Sequence, residues 1–274
     1  MGQKILCFVG RIELFPVNCD VKTGRFDLAL ELKQAIKRNR AALRNNDILV
    51  VSSKYAAVSQ GRIADLSKVQ VSKEARHLSR SYSMKPELAQ LVLEESDSIL
   101  GGVPGYLLAI SDGILAPNAG IDLSNCPPGF AVLQPSNPER LAASLRQRMM
   151  SIGVKTGVRQ MGVIFSDSRI TPARLGTVGI AIASAGIRKT IDLRGAPDLF
   201  QNELKVTLRA LADQLATAAE LLMGETNEAV PLVVIRGVED AFETPRTEFE
   251  KISAIPEDRC LIISGLRHRY RKRL

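Results

Sequence analysis

Three acidic residues, far apart in the chain, stand where an acid can do chemistry. Asp122 lies in the loop Pro117-Asn118-Ala119-Gly120-Ile121-Asp122-Leu123-Ser124-Asn125, in which Asn118, Asp122 and Asn125 set three oxygen-bearing side chains around a glycine. Asp167 stands between Ser166 and Ser168, directly after the apolar run Val163-Ile164-Phe165. Glu225 follows Gly224 at the end of a long helical pattern. An acid at the exit of a strand can hold Mg²⁺, because that ion takes one or two carboxylates, keeps several waters and leaves room for phosphates. Each acid alone also has a plainer use: loop Asp and Asn satisfy turns through local hydrogen bonds, and Glu225 can be an ordinary surface residue.

Basic residues supply the complementary charge. Arg169, Arg174 and Arg194 lie in or near glycine-bearing segments. The planar fork of Arg matches a carboxylate or a phosphate. The competing use is a loop-fixing pair, such as Arg194 with Asp192 or Asp198. Lys54, after Ser52-Ser53 at the end of an apolar run, is placed to reach a phosphate or to be a solvated surface lysine. His77 falls in a charged helical stretch and His268 in the basic C-terminal residues. Neither has a Ser, Cys or Asp neighbour that would build a triad, so nucleophilic catalysis through His is not expected.

The elements that must position these residues follow from hydrophobic period. Residues 5–9 and Ile48 to Ser53 read as short buried strands, as do Leu107 to Ile110 and Pro231 to Ile235. Gly162 to Phe165 reads as a strand delivering Ser166-Asp167-Ser168. Helical spacing covers Glu31 to Leu43, Pro86 to Glu95 (with Pro at the first helical position), Pro138 to Met150 and Asn202 to Met223. In the last, Leu204, Leu208, Leu211, Leu215, Ala218 and Leu222 keep one face apolar, and Gly224 supplies the stop. Residues 176–187 are small and apolar, suited to close backbone packing. Strands and helices alternate irregularly, which predicts a mixed α/β chain of α and β layers without a regular doubly wound sheet. Neither a P-loop nor a GxGxxG after a strand is present, so a bound nucleotide would not rest on a Rossmann or P-loop motif.

The bulk properties agree with a globular protein. The chain has 274 residues, 45% hydrophobic and 24% charged, enough to bury a core without staples. No stretch approaches the ~18 apolar residues needed to span a bilayer. The four cysteines, Cys7, Cys19, Cys126 and Cys260, form no CxxC, which argues against zinc and against a disulfide scaffold and for a cytoplasmic location. The formal net charge of +8 favours anionic partners. Much of the excess is Arg267, Arg269, Arg271, Lys272 and Arg273. That cluster reads as a solvated tail or as an anion anchor. Tyr270 is the only aromatic residue among them, so nucleic-acid binding is not expected.

Taken together, these segments resemble the coenzyme F420:L-glutamate ligase (gamma-glutamyl ligase) family. The similar stretches are Asp47 to Lys54, Gln60-Gly61-Arg62, the loop Asn118 to Asn125, Ser166-Asp167-Ser168, Arg174 with Gly176 and Gly179, Asp192 to Gly195, Leu222 to Glu225 and Pro231 to Gly237. They occur in the family's order and span roughly residues 10–237. The resemblance implies a fold peculiar to the family, an intertwined homodimer of two α/β subdomains within residues 1–237, and a C-terminal extension over 238–274. It also implies GTP as co-substrate, Mg²⁺ or Mn²⁺ with K⁺ as a further cation, and L-glutamate and a phosphorylated deazaflavin acceptor as the molecules joined. Asp122 and Asp167 would hold one metal, with Ser168 and Glu225 at the second. Ser53, Lys54, Asn125, Met223, Gly224 and Thr226 would contact the nucleotide, and Arg174 and Arg194 would serve catalysis.

The chain also departs from that pattern. Val58 and Asp112 stand where Lys and His are usual, and Glu225 where Gln is common. The expected Gly-x-Pro loop is stretched over Gly10 to Pro16. The same ligase chemistry on another carboxylate or amine, and a non-catalytic nucleotide- or cofactor-binding protein, are the competing readings.

Overall fold

The structure, a computed structural model, describes residues 10–153, 157–245, 247 and 254–267. The strand expected over 5–9, His268, Tyr270 and the basic residues Arg269, Arg271, Lys272 and Arg273 lie outside the described residues. The strands, in chain order, are β1 Glu13–Val17, β2 Asp47–Ser52, β3 Ile63–Asp65, β4 Ser98–Val103, β5 Tyr106–Ser111, β6 Ile114–Pro117, β7 Phe130–Val132, β8 Met161–Ile170, β9 Thr177–Ala185, β10 Ile191–Asp192, β11 Leu208–Arg209 and β12 Leu232–Arg236. The helices are α1 Leu28–Arg38, α2 Ser53–Ser59, α3 Lys73–Ser81, α4 Pro86–Glu95, α5 Pro138–Gly153, α6 Leu211–Met223 and α7 Leu261–Arg267.

Among the described residues, the main sheet has five strands in the order β1-β12-β2-β8-β9. β2 and β8 run parallel, whereas β1–β12, β12–β2 and β8–β9 are antiparallel. This is the mixed α/β layering the sequence predicts. The alternation within β2 explains its wholly apolar run. Leu49 and Val51 join one core with α1 and α5, while Ile48 and Val50 join another with α6. A strand covered on both faces needs apolar residues at every position. β12 repeats the pattern, with Leu232 and Val234 on one face and Val233 and Ile235 on the other. Val238 and Ala241, beyond the expected boundary at Gly237, are buried in the α6-side core. A third core packs Leu88, Leu91 and Val92 of α4 against Leu107 and Ala109 of β5, in the sheet β4-β5-β6.

Two elements differ from their sequence patterns. The helix expected from Asn202 starts at Leu211. Before it, the Asp198 carboxylate accepts from the Phe200 and Asn202 backbone N–H groups, and Leu208–Arg209 pairs with Ile191–Asp192. A local side-chain turn and a strand pair take the backbone groups that helix would use. β8 does not stop at Phe165 but continues to Ile170. Asp167 is therefore a mid-strand residue, just past a register shift at Phe165/Ser166.

One buried ion pair ties the neighbouring strands β2 and β12 together. Asp47, fully buried at the start of β2, receives Arg236 Nε at 2.7 Å and Nη2 at 2.8 Å from the end of β12. The Arg44 N–H adds a third bond at 2.7 Å. Removing one partner of such a pair leaves a buried charge uncompensated. Asp47→Ala should therefore lose about 3 kcal/mol of stability, read as a lower urea midpoint with an unchanged slope.

Candidate functional site

A cavity of about 800 Å³ opens where β2 passes into α2, beside the middle of β8. The loop of residues 118–126 and the turn after α6 close it. The parallel pairing of β2 with β8 sets Ser52 opposite Ser166. The first residues of α2 thus meet the polar middle of β8. Ser53 Oγ donates to Asp167 Oδ1 at 2.8 Å and Lys54 Nζ donates to the same oxygen at 2.9 Å. On the other side, Asp167 Oδ2 receives Arg169 Nε at 2.6 Å and Gln134 Nε2 at 3.0 Å. Burial by itself would push this carboxyl up. Lys54 and Arg169, with the hydrogen bonds of Lys54 and Ser53, more than offset that and hold it at about 2.

The loop is shaped by an unusual backbone. Asn118, Ala119 and Gly120 all have left-handed φ, at 49°, 52° and 72°. For a buried alanine such a conformation is strained, and strain of this kind concentrates at functional sites. Asn118 Oδ1 accepts from the Leu107 N–H at 2.9 Å and anchors the turn to β5. Gly120 O receives Lys54 Nζ at 2.6 Å and Gln134 Nε2 at 3.0 Å. A Cβ at position 120 would fall 2.1 Å from Gln134 Nε2, so both the conformation and the contact call for glycine. Further along, Asp122 turns its carboxylate back on its own loop, accepting from the Ser124 N–H at 2.8 Å and from Ser124 Oγ. The turn-forming use of this acid is realised, while Asp122 also lines the cavity.

Glu225 is no idle surface residue. Its carboxylate meets Ser168 Oγ at 3.0 Å and accepts from Thr177 Oγ1 at 2.8 Å, reaching from the turn after α6 to both β8 and β9. Met223 is buried at the end of α6, and Gly224 caps it with φ 71°. Glu228 then accepts from the Thr226 N–H at 2.8 Å and Thr226 Oγ1 at 3.0 Å, fixing the turn.

Asp122, Asp167, Ser168, Glu225, Lys54 and Asn125 line this one cavity, as do Met223, Gly224 and Thr226. Ser53 lies buried behind Asp167. Arg174 and Arg194 do not line it. Arg174 is exposed in the turn between β8 and β9, and Arg194 is exposed and pairs with Asp192 through Nε at 2.9 Å and Nη2 at 2.6 Å. Among the described residues, no three His, Cys, Asp or Glu side chains are gathered closely enough to form a ready-made metal cage. The reason is visible in the contacts: Asp167 is occupied by cations of the chain and Asp122 by its own turn.

Two residues of the site lie outside the sequence-derived set. Gln134 carries no local signal, since only the fold brings it to Gly120 and Asp167. Glu220 does carry one. It follows Ala216 by four residues on α6, so an acid stands on the face that buries Leu215, Ala216 and Ala219. It accepts from Ser168 Oγ and, at 3.2 Å, from Ser166 Oγ. Burial pushes its carboxyl up, and the nearby Glu225 adds to this against the hydrogen bond from Ser168. Val58 is buried in the cavity wall, and Asp112 sits apart in the turn between β5 and β6.

A mixed α/β chain with an acid-lined cavity, and with no helix among the described residues long and apolar enough to cross a membrane, defines the class. The chain belongs to the F420-0:gamma-glutamyl ligase family, whose model matches residues 19–237. It is 35% identical over 240 residues to the coenzyme F420:L-glutamate ligase of Methanopyrus kandleri, covering 86% of this chain and 91% of that one. It is likewise 35% identical over 256 residues to the enzyme of that name from Archaeoglobus fulgidus, covering 92% of this chain and all of the other.

The Asp167 carboxyl, held at about 2 against an ordinary value of 3.8, makes a signed prediction. A depressed folded-state pKa gives stability that is present above the ordinary carboxylate value and is lost as pH falls through that value toward 2. In urea unfolding from about pH 5 to about pH 2, Asp167→Asn should flatten the acid-side loss by roughly 2 kcal/mol relative to the parent. An identical slope in the two proteins would show the carboxyl to be unperturbed.

Proposed function

We propose that this chain is a cytoplasmic, GTP-dependent ligase that joins L-glutamate by an amide bond to the carboxylate of a phosphorylated deazaflavin precursor of coenzyme F420. The observation that carries the reading is the single cavity shared by Asp122, Asp167, Ser168 and Glu225, in a chain of this family. Their donor set is all oxygen, which suits Mg²⁺ or Mn²⁺. Asp122 and Asp167 would hold one ion and Ser168 and Glu225 the other, with K⁺ as an accompanying cation. Such ions supply charge neutralisation to phosphoryl oxygens.

The chain's own residues do the rest. Lys54 and Arg169 bring two positive charges to the floor beneath Asp167, where a phosphate can share them. Ser53, Asn125 and the turn Met223–Gly224–Thr226 form the nucleotide side. The γ-phosphoryl group passes from the nucleotide to the acceptor carboxylate, giving an acyl phosphate and a nucleoside diphosphate. The glutamate amine then attacks the acyl carbon, the C–N bond forms, inorganic phosphate leaves and the nitrogen loses a proton. A carboxylate is a poor electrophile until phosphorylated, and phosphoryl transfer needs positioning and charge more than an acid–base residue. Among the described residues no His lines the cavity, which is consistent with that.

A homodimer belongs to the same reading. Leu175, Leu199, Phe200 and Val206 are all more than four-fifths exposed in the single chain. Leu175 directly follows Arg174, and the other three lie beyond Arg194 in the segment before α6, so a second copy covering them is the assembly that would bring those arginines to a cavity. Patches of this kind mark interaction surfaces.

Purified protein given GTP, Mn²⁺, L-glutamate and the deazaflavin precursor should release phosphate and yield a product heavier by glutamate. Asp122→Asn and Asp167→Asn should each lower turnover roughly 1,000-fold, as expected when charge stabilisation at the transition state is removed, under conditions where circular dichroism shows both folded. Full activity in either variant would put the metal elsewhere, and no turnover with any acceptor would end the ligase reading.

A further inference from the structure

Ser168 presents a proton-counting problem. Its Oγ touches Glu220 Oε1 on one side and stands 3.0 Å from both oxygens of Glu225 on the other. A serine hydroxyl has one proton and two lone pairs, so it can donate to only one of the two carboxylates. The remaining donors nearby are already directed. Ser166 Oγ serves Glu220 Oε2, and Thr177 Oγ1 serves Glu225 Oε1. Glu225 is exposed to solvent and can take its donors from water, whereas Glu220 is half-buried, so the Ser168 proton belongs to Glu220. With both carboxylates ionised, the Ser168 lone pairs then face Glu225, acceptor against acceptor, an arrangement relieved by a proton on Glu220 or by a cation beside Ser168.

The position of Glu220 is built into the fold. Ser168 on β8 pairs with Gly179 on β9. Because residue 179 has no side chain, α6 settles directly on the strand, and Thr217 Oγ1 donates to Gly179 O at 2.6 Å. A Cβ at 179 would lie 2.6 Å from Ala216 O and 2.9 Å from Glu220 Oε2. The space beside Ser168 is thus reserved for the Glu220 carboxylate.

We propose that Glu220 is a positioning residue for the cation centre: it accepts the Ser168 proton and so turns a Ser168 lone pair toward a divalent cation shared with Glu225. This rests on the reading of Ser168 and Glu225 as ligands of one of two ions. It adds a residue of the cavity wall whose role is to orient Ser168. Partners that orient a ligand in this way commonly alter metal affinity 10- to 100-fold when removed.

The test is Mn²⁺ binding, followed through the electron paramagnetic resonance signal of the free ion, with and without GDP and with no acceptor present. Glu220→Ala should weaken one class of bound ion roughly 10- to 100-fold and leave the other unchanged. Glu220→Gln, whose amide oxygen still accepts the hydroxyl proton, should restore most of that affinity. On a Ser168→Ala background, Glu220→Ala should weaken binding no further. Parental affinity in Glu220→Ala, failure of the Gln variant to rescue, or an undiminished loss on the Ser168→Ala background would each overturn the proposal while the cation reading stands. No Mn²⁺ binding by the parent protein would overturn both.

Discussion

A carboxylate buried in the middle of a strand has to be compensated, and the site is organised around that requirement. Asp167 sits on β8 with its side chain nine-tenths buried. Leaving such a charge unpaired costs far more than a domain's net stability can absorb. Four donors from three places answer it: Ser53 and Lys54 at the start of α2, Arg169 two residues along the strand, and Gln134 from the segment after β7. Each then constrains its own surroundings. Lys54 and Gln134 also hold Gly120 O, which fixes the loop bearing Asp122 and Asn125. The parallel register of β2 with β8 brings α2 to the right height. One buried charge therefore couples the main sheet, the first turn of a helix and a loop from the smaller sheet.

Both acids already have partners within the chain, and among the described residues no three His, Cys, Asp or Glu side chains gather into a metal cage. Asp167 is satisfied by cations of the chain, and Asp122 by the hydroxyl and amide of Ser124. One residue further along β8 the balance differs. The side-chain partners of Glu220 and Glu225 are hydroxyls, and among the described residues no lysine or arginine offsets their charge through a hydrogen bond. The two neighbouring positions thus differ in what they lack: positive charge is abundant at Asp167 and short at Ser168.

Much of the architecture was legible from hydrophobic period because both faces of the main sheet are covered. The unbroken apolar runs of β2 and β12 and the Pro-initiated α4 declare themselves locally. The acids Asp122, Asp167 and Glu225 were also readable, each beside small or polar residues that a core would not tolerate without reason. What the sequence hid depends on tertiary contact. Asn202 to Ala210 has helical spacing, yet Asp198 captures its first amide groups and β11 pairs with β10 instead. The polar triplet Ser166 to Ser168 looked like a strand's exit, but pairing with β9 carries the strand through it. Gln134 had no signal at all, because its role is defined only by the groups it reaches across the fold. The departure of Arg174 and Arg194 from the cavity has a similar origin, since Arg194 meets Asp192 two residues away before anything more distant.

Three glycines connect these observations. Gly120, Gly179 and Gly224 each leave space that a polar side chain fills: the Gln134 amide, the Glu220 carboxylate and the Glu228 carboxylate, at 2.1, 2.9 and 2.2 Å from where a Cβ would stand. Gly120 and Gly224 also have φ values of 72° and 71°, so their backbone conformation and their missing side chain are used together. Close packing normally fills such space with methyl groups. Here the groups are polar, and each is held by hydrogen bonds to elements that do not adjoin it in sequence or that form the next turn. An alanine at any of the three would therefore displace a polar group that orients a ligand candidate, rather than merely crowd a core. In the folded chain these glycines are the seats of one amide and two carboxylates that shape the cavity's polar wall.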